Sequence, residues 1–433
     1  MNKIFNLCLA LILISACSFN KNSKFWTKSE TIASKQTSNI ELFKKEKEID
    51  KELNINITIN FNQKPISSSL SNNLNNNYNR IKFDGDLKKI SKYKFSKIEN
   101  FYQYEPKILF NKKDIIFFDN KGSILKFDNQ SKLVWKKNYY SKIEKKQKPI
   151  LQFASNDKFL IVADNISKYY VLDIKTGNLI WSNFHSSPFN SQIKIFKDKF
   201  LIVDTTNTLR CFSIKNGNEI WSISTENNLI KSQKKLSLVI VDNNVYFNNF
   251  IGDISAVDLN RGELLWQLPT QSSLVIESSF GLETSEIIAD GETLFFSNNR
   301  NQLFSIDINS GSFNWKNKIN SNLTPTLVEN YLFTVSLEGY FIVIEKNSGN
   351  IIRITDLFSH IKEKKRKKIK PTGFVVGTKN IYLSTSNGRL MVIDISSGKT
   401  ISTMKIDNEK ISRPKILYDN LFVIKDNAII KLN

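Results

Sequence analysis

The chain is short of the residues from which most catalytic and metal sites are built. Its 433 residues include two histidines, His185 and His360, and three cysteines, Cys8, Cys17 and Cys211. Two imidazoles exclude a His-rich metal site and give a poor supply of bases for a nucleophilic triad. Both read as exposed loop residues. Three scattered thiols exclude a disulfide framework, and no C-x-x-C-H haem-attachment spacing occurs. Cys211 lies in a strand-like stretch and reads as a small core residue. No G-x-G-x-x-G, P-loop or G-x-S-x-G is present. Beyond a short apolar stretch at Ile4–Ile14, too short to span a bilayer as a helix, nothing is apolar enough to cross a membrane. Acidic residues are outnumbered 41 to 62, for a net charge of +21, yet only eight of the basic residues are arginine. The charge reads either as a basic surface for nucleic acid, anionic lipid or an acidic partner or, given abundant Lys, Asn, Ile and Phe, as the codon bias of an AT-rich genome; the second is favoured, since charge speaks to solubility and non-specific association rather than to fold.

What the chain does have is a repeated eleven-residue phrase. Its fullest form is V-L-D-I-K-T-G-N-L-I-W, Val171–Trp181; it recurs at Ala256–Trp266, Ser305–Trp315 and, loosely, Cys211–Trp221. A shortened copy ends at Trp135, and copies without Trp stand at Val343–Gly349 and Val392–Gly398. Apolar residues before the Asp form a strand. The Asp carboxylate opens a tight turn by accepting backbone N–H groups two or three residues on. The Gly supplies the positive φ of a type I turn with a bulge, and the next strand carries the Trp. Five of the six tryptophans (Trp135, Trp181, Trp221, Trp266, Trp315) hold this slot, as Gly177, Gly217, Gly262 and Gly311 hold theirs. Successive glycines, through Gly349 and Gly398, lie 38 to 49 residues apart, room for four short strands per unit, the pattern of a β-propeller blade.

Blades open near Pro106, Pro149, Ser191, Leu236, Ser285, Pro325, Pro371 and Pro414. The last has room for three strands. Ile90–Ile98, with Tyr93 in the Trp slot, supplies the fourth and closes the ring, which removes the open sheet edge. The expected fold is therefore an all-β, eight-bladed propeller, with seven blades as the fallback. The Trp of each blade fills the gap between neighbouring sheets. The two late blades with Arg353 and Ser402 in that slot are expected to dock less tightly. The repeated aspartates Asp128, Asp173, Asp258, Asp307 and Asp394 fall one per blade and cannot converge as a catalytic pair.

Residues 1–16 read as a signal peptide: Lys3, the apolar stretch, then small residues before Cys17, similar to a bacterial lipobox. Cys17 is the expected lipidation site, several acyl chains giving a stable anchor. Residues 17–80, rich in Lys/Glu runs and a Ser/Asn tract, read as a lipid-anchored, partly disordered tether in which only Ile55–Phe61 alternates like a strand. Residues 81–433 form the propeller.

The repeat resembles the tryptophan-docking repeat of quinoprotein-like (PQQ-type) propellers. Together with the lipobox it is similar to the BamB family, propeller lipoproteins of the outer-membrane β-barrel assembly machinery. That resemblance implies a non-catalytic scaffold without a cofactor, anchored in the outer membrane by palmitate-type acylation and facing the periplasm. Its implied partners are the POTRA domain of a BamA-type barrel protein and unfolded outer-membrane protein clients, with no nucleic acid. Ser18 after the lipidated Cys, rather than Asp, fits the outer membrane. In the family an L-x-L-R segment follows the third repeat's Trp and acidic residues follow the fourth's. The matching positions are Leu229, Ile230 and Lys231, with Asn228 in place of the first Leu, and Glu283, with Gly281 at the other acidic position.

Two alternatives belong to other classes. A PQQ-dependent quinoprotein enzyme shares the repeat, but those enzymes resemble one another in an adjacent Cys pair, which this chain lacks. A propeller lipoprotein of another cell-envelope complex would share everything but the contact loops. The basic run Lys362–Lys370 reads as a solvated insertion, or as a contact for an anionic surface.

Overall fold

A strand whose residues are apolar on both faces needs a sheet on either side. Here the first three strands of each repeat are of that kind, and only the fourth alternates in exposure, as in Glu219–Ser224. The computed structural model describes residues 51–67, 79–99, 101, 105–225, 235–271 and 281–433. The proposed leader, Cys17 and the first part of the tether lie outside them. The described strands form eight four-stranded antiparallel sheets. Blade 1 runs Leu109–Asn111, Asp114–Phe118, Ile124–Phe127 and Leu133–Lys137 from the inside outwards. Blades 2 to 7 follow in order at 151–184, 194–224, 238–268, 288–317, 326–356 and 371–405. Blade 8 takes Lys415–Leu417, Asn420–Lys425 and Ala428–Leu432 from the end of the chain and Lys89–Lys94 from far upstream, with Tyr93 opposite Ile429. The ring of eight blades closes as the sequence pattern predicts.

The turn between third and fourth strands is built by the repeat. The Asp173 carboxylate accepts the N–H groups of Lys175 (3.0 Å) and Thr176 (2.8 Å), and Asp307 those of Asn309 (3.1 Å) and Ser310 (2.7 Å). These bonds hold both carboxyls below the usual carboxylate range. A one-residue register shift follows the turn in each of blades 1 to 7.

The turn glycines are needed twice over. Their φ angles are close to +70°, and the Trp of the preceding blade lies directly on them. A Cβ on Gly217, Gly262, Gly311 or Gly349 would sit 2.6–2.7 Å from Trp181, Trp221, Trp266 or Trp315. Each of these indoles then donates to the carbonyl of the residue after the turn-opening position: Ile214 (2.8 Å), Leu259 (3.2 Å), Ile308 (3.1 Å) and Lys346 (2.8 Å). Trp135 packs on Gly177 in the same way, but its indole N–H makes no hydrogen bond; the equivalent carbonyl, Ile174, accepts from the Lys126 ammonium instead (3.3 Å). At the ring closure the Tyr93 hydroxyl donates to Asn129, one residue past Asp128 (3.3 Å).

Arg353 corrects the expectation of looser docking. Its side chain is fully buried in the Trp slot, 3.0 Å from where a Gly398 Cβ would stand. The guanidinium donates to Ile395 (3.2 Å), to Ser396 and to Ile57 (2.9 Å), so a planar multidentate donor replaces the indole. Ile57 belongs to the stretch read as tether, and that stretch packs on blades 6 and 7. Leu53 and Ile354 exchange backbone hydrogen bonds (3.1 and 3.0 Å), Ile59 is buried, and its N–H donates to Ser396 (3.1 Å). The expected strand at Ile55–Phe61 does not form; one isolated bridge at Leu53 does. Where Ser402 leaves the slot empty, Phe83 and Leu87 fill the junction of blades 7 and 8, Phe83 lying edge-on to Tyr382 at 5.1 Å.

Replacing Arg353 by Met removes the donors from three carbonyls at once. The expected cost is about 1.5–3 kcal/mol, with earlier protease cleavage within residues 51–67. Denaturant titration and limited proteolysis read both. Unchanged stability and cleavage would contradict the assigned role.

Candidate functional site

Because strands alternate in direction within a blade, blade-to-blade connections and middle hairpin turns emerge on one face, and the Asp–Gly turns on the other. The connections after blades 3, 4 and 6 therefore begin and end on a common face. The first is the one containing Leu229, Ile230 and Lys231, which lie outside the described residues. The second carries Glu283 and the third the basic run.

Glu283 is exposed but anchored. Its neighbour Leu282 is buried, and its N–H donates to the Asn299 side-chain oxygen (3.0 Å). The Asn299 amide returns a hydrogen bond to Gly281 (2.8 Å), where φ is +76°. The Glu283 carboxylate accepts from the Asn322 side-chain amide, tying the loop to the connection after blade 5. A carboxylate held this way keeps its position on the face while remaining exposed. The basic run is less uniform than its composition suggests. Arg366 pairs with Asp356 (2.6 Å) and donates to the backbone carbonyl of Glu338 (3.3 Å), whereas Lys362, Lys364 and Lys365 are exposed.

Sequence reasoning missed the second turn family, which shapes this same face. In the middle hairpins Asp119, Asp164, Asp204 and Asn249 each accept the N–H groups two and four residues on, for Asp164 those of Ile166 and Lys168 at 2.9 Å each. The position three residues on has positive φ and is Gly122, Ser167, Asn207 or Gly252. Asp/Asn followed at that spacing by Gly, Asn or Ser is the available signal, blurred by the variety of residues that satisfy it. Burial pushes the Asp164 carboxyl up to about 6, and Tyr140 donates to it at 2.6 Å.

Among the described residues no three His, Cys, Asp or Glu side chains gather to hold a metal. Burial pushes the Cys211 thiol up to about 12. His360 is exposed, as expected, but His185 is not: its ring packs against Phe189 and Phe212, and its Nδ1 accepts the Ser187 N–H (3.1 Å). The outer strands of blades 1 to 4, in contrast, leave aliphatic side chains open: Leu133 and Val134, Leu179 and Ile180, Ile220, Leu264 and Leu265. The arrangement suits recognition of protein surfaces.

A family model described as "Outer membrane protein assembly factor BamB" matches residues 120–355, more than half of the chain. The chain is 23% identical over 274 residues to the outer membrane protein assembly factor BamB of Moranella endobia, a match covering 62% of this chain and 68% of that protein. Its fold is similar to the crystal structure of BamB from Moraxella catarrhalis, with a TM-score of 0.64, 14% identity, and 80% and 99% of the two chains covered. It is also similar to quinohemoprotein alcohol dehydrogenase from Comamonas testosteroni, with a TM-score of 0.62, 9% identity, and 82% and 78% covered. At such identities these structural likenesses speak to the fold alone.

The Glu283 loop is held chiefly by its buried Leu282 rather than by the exposed carboxylate. Leu282→Ala is expected to cost about 2–5 kcal/mol, while Glu283→Lys leaves stability within about 0.5 kcal/mol. Thermal melts of the two variants check this; a large loss from Glu283→Lys would make that carboxylate a structural group.

Proposed function

The chain belongs to the family of the outer membrane protein assembly factor BamB, and from that premise we propose that it is a non-catalytic scaffold lipoprotein of the β-barrel assembly machinery. The observation that carries this reading is the family match over residues 120–355, which spans the Trp-docked repeats of blades 2 to 5. In this reading residues 1–16 are removed and Cys17 is acylated. Part of 17–80 tethers the propeller, 81–433, to the periplasmic leaflet of the outer membrane.

The partner is the POTRA domain of a BamA-type barrel protein. Leu229, Ile230 and Lys231 contact it beside Glu283, on the connections that flank blade 4. Such a contact is physically economical, combining two apolar side chains with charges of both signs that fix register. Clients in an extended conformation add to the outer blade edges by backbone pairing, next to the open aliphatic residues of blades 1 to 4. The gathering of exposed aliphatic and charged residues on connections and outer strands supports a scaffold.

An affinity pull-down of the lipidated chain from detergent-solubilised envelope, beside a Lys231→Glu/Glu283→Lys double variant, tests the reading. The expected result is a POTRA-bearing barrel protein that co-purifies with wild type and is depleted about tenfold or more with the variant, a loss of roughly 1.4 kcal/mol or more of binding. Equal recovery would move the contact elsewhere on the propeller. Absence from both would overturn the proposed role.

A further inference from the structure

The first strand of every blade borders the propeller axis, and in this chain several of those strands bring a cation to it. Lys107 precedes the inner strand of blade 1, Lys194 opens that of blade 3, Lys235 precedes that of blade 4, and Lys415 opens that of blade 8. These four line one cavity of about 70 Å³, together with Gln152 and Gln192. Arg413, two residues before Lys415, adds a fifth cation close enough to repel Lys107 and Lys415. All five sit where inner strands begin, so the cavity lies at the channel end on the face of the blade-to-blade connections.

Among the described residues, these five cations meet Glu286 directly and Glu105 at longer range. Glu286, just before the inner strand of blade 5, pairs with Lys107, accepts from the Gln192 amide (2.7 Å) and lies 3.9 Å from Arg413. Glu105, near enough to act on Lys235, is itself paired with Lys410 (2.9 Å). Lys194 is 1% exposed, and the Lys235 ammonium is buried with no hydrogen-bond partner. Burial, and the neighbouring cations with it, push Lys194 and Lys235 down to about 7 and Lys415 to about 8. Like charges gathered out of water are costly unless a counter-charge joins them.

We infer that the mouth of the central channel is a binding site for a small inorganic oxyanion of the phosphate type, held by Lys107, Lys194, Lys235 and Lys415. The volume suits one such anion with a water or two and is far below the roughly 300–1,000 Å³ of sites for larger organic ligands. The donors suit it as well, since ammonium groups converging from four blades give charge-assisted hydrogen bonds to several oxygens at once. Because the cations come from two pairs of neighbouring blades, 8 with 1 and 3 with 4, the anion ties those two parts of the ring to each other. Binding therefore raises the stability of the whole propeller by mass action.

The test uses the full chain at pH 6.5, with inorganic phosphate titrated at constant ionic strength against chloride. The expected result is a saturable rise of several degrees in the melting midpoint, and one phosphate bound per chain by isothermal titration calorimetry. In Lys235→Met, removal of the unpartnered ammonium leaves the midpoint in chloride equal to or above that of wild type, and phosphate binds about tenfold or more weakly. Lys194→Met gives the same weakening should the first variant not fold. A rise without saturation, shared equally by wild type and variant, would overturn the site, as would a wild-type titration with no stoichiometric heat.

Discussion

The fold rests on one contact made again and again: an indole lying flat on the bare glycine of the next blade's turn, with its N–H donating to a carbonyl one step past the turn's opening residue. Each part of the contact depends on the others. The carboxylate sets the turn, the turn requires positive φ, and the absent Cβ makes room for the ring. The four-stranded sheets themselves are not hydrogen-bonded to one another, so side-chain packing carries most of the hold between adjacent blades. A ring of such junctions is only as sound as its weakest member, and this chain secures the exceptions differently. Tyr93 closes blade 8 on blade 1, Arg353 takes the indole's place between blades 6 and 7, and Phe83 and Leu87 wedge the junction that has no turn to dock on.

The exceptions also explain why residues before the first strand are ordered against the propeller. Ile57 offers a carbonyl to Arg353, and Ile59 and Phe83 bury apolar surface beside blades 6, 7 and 8. A segment whose composition is too polar for a core of its own gains one by packing on a junction that lacks its Trp.

Blade number, ring closure and turn chemistry were legible because Asp, Gly and Trp each perform a task that few other residues can, at fixed spacing. Arg353 was not, since nothing in its type resembles an indole; only its planar set of donors does, and burial reveals that. The inward lysines Lys107, Lys194, Lys235 and Lys415 were hidden in a lysine-rich background, one in each of four blades, and only closure of the ring collects them. His185 was misread as exposed because its cover comes partly from Phe189, four residues on in the same connection, and partly from Phe212 of the next blade. Of the candidate contact residues, Glu283 has a definite setting, whereas Leu229, Ile230 and Lys231 lie outside the described residues.

Scaffolding needs a rigid frame that carries variable loops, and Trp-docked blades supply one: turns that dock point to one face, and the other face is left to connections. The central claim is that the connections flanking blade 4 form the partner contact. Hydrogen–deuterium exchange of the lipidated chain, with and without a BamA-type POTRA fragment, tests it most directly. The account predicts protection concentrated in residues 225–237 and 281–285, with the Asp–Gly turns of blades 2 to 6 unaffected. Protection centred on those turns, or none at any fragment concentration, would contradict it.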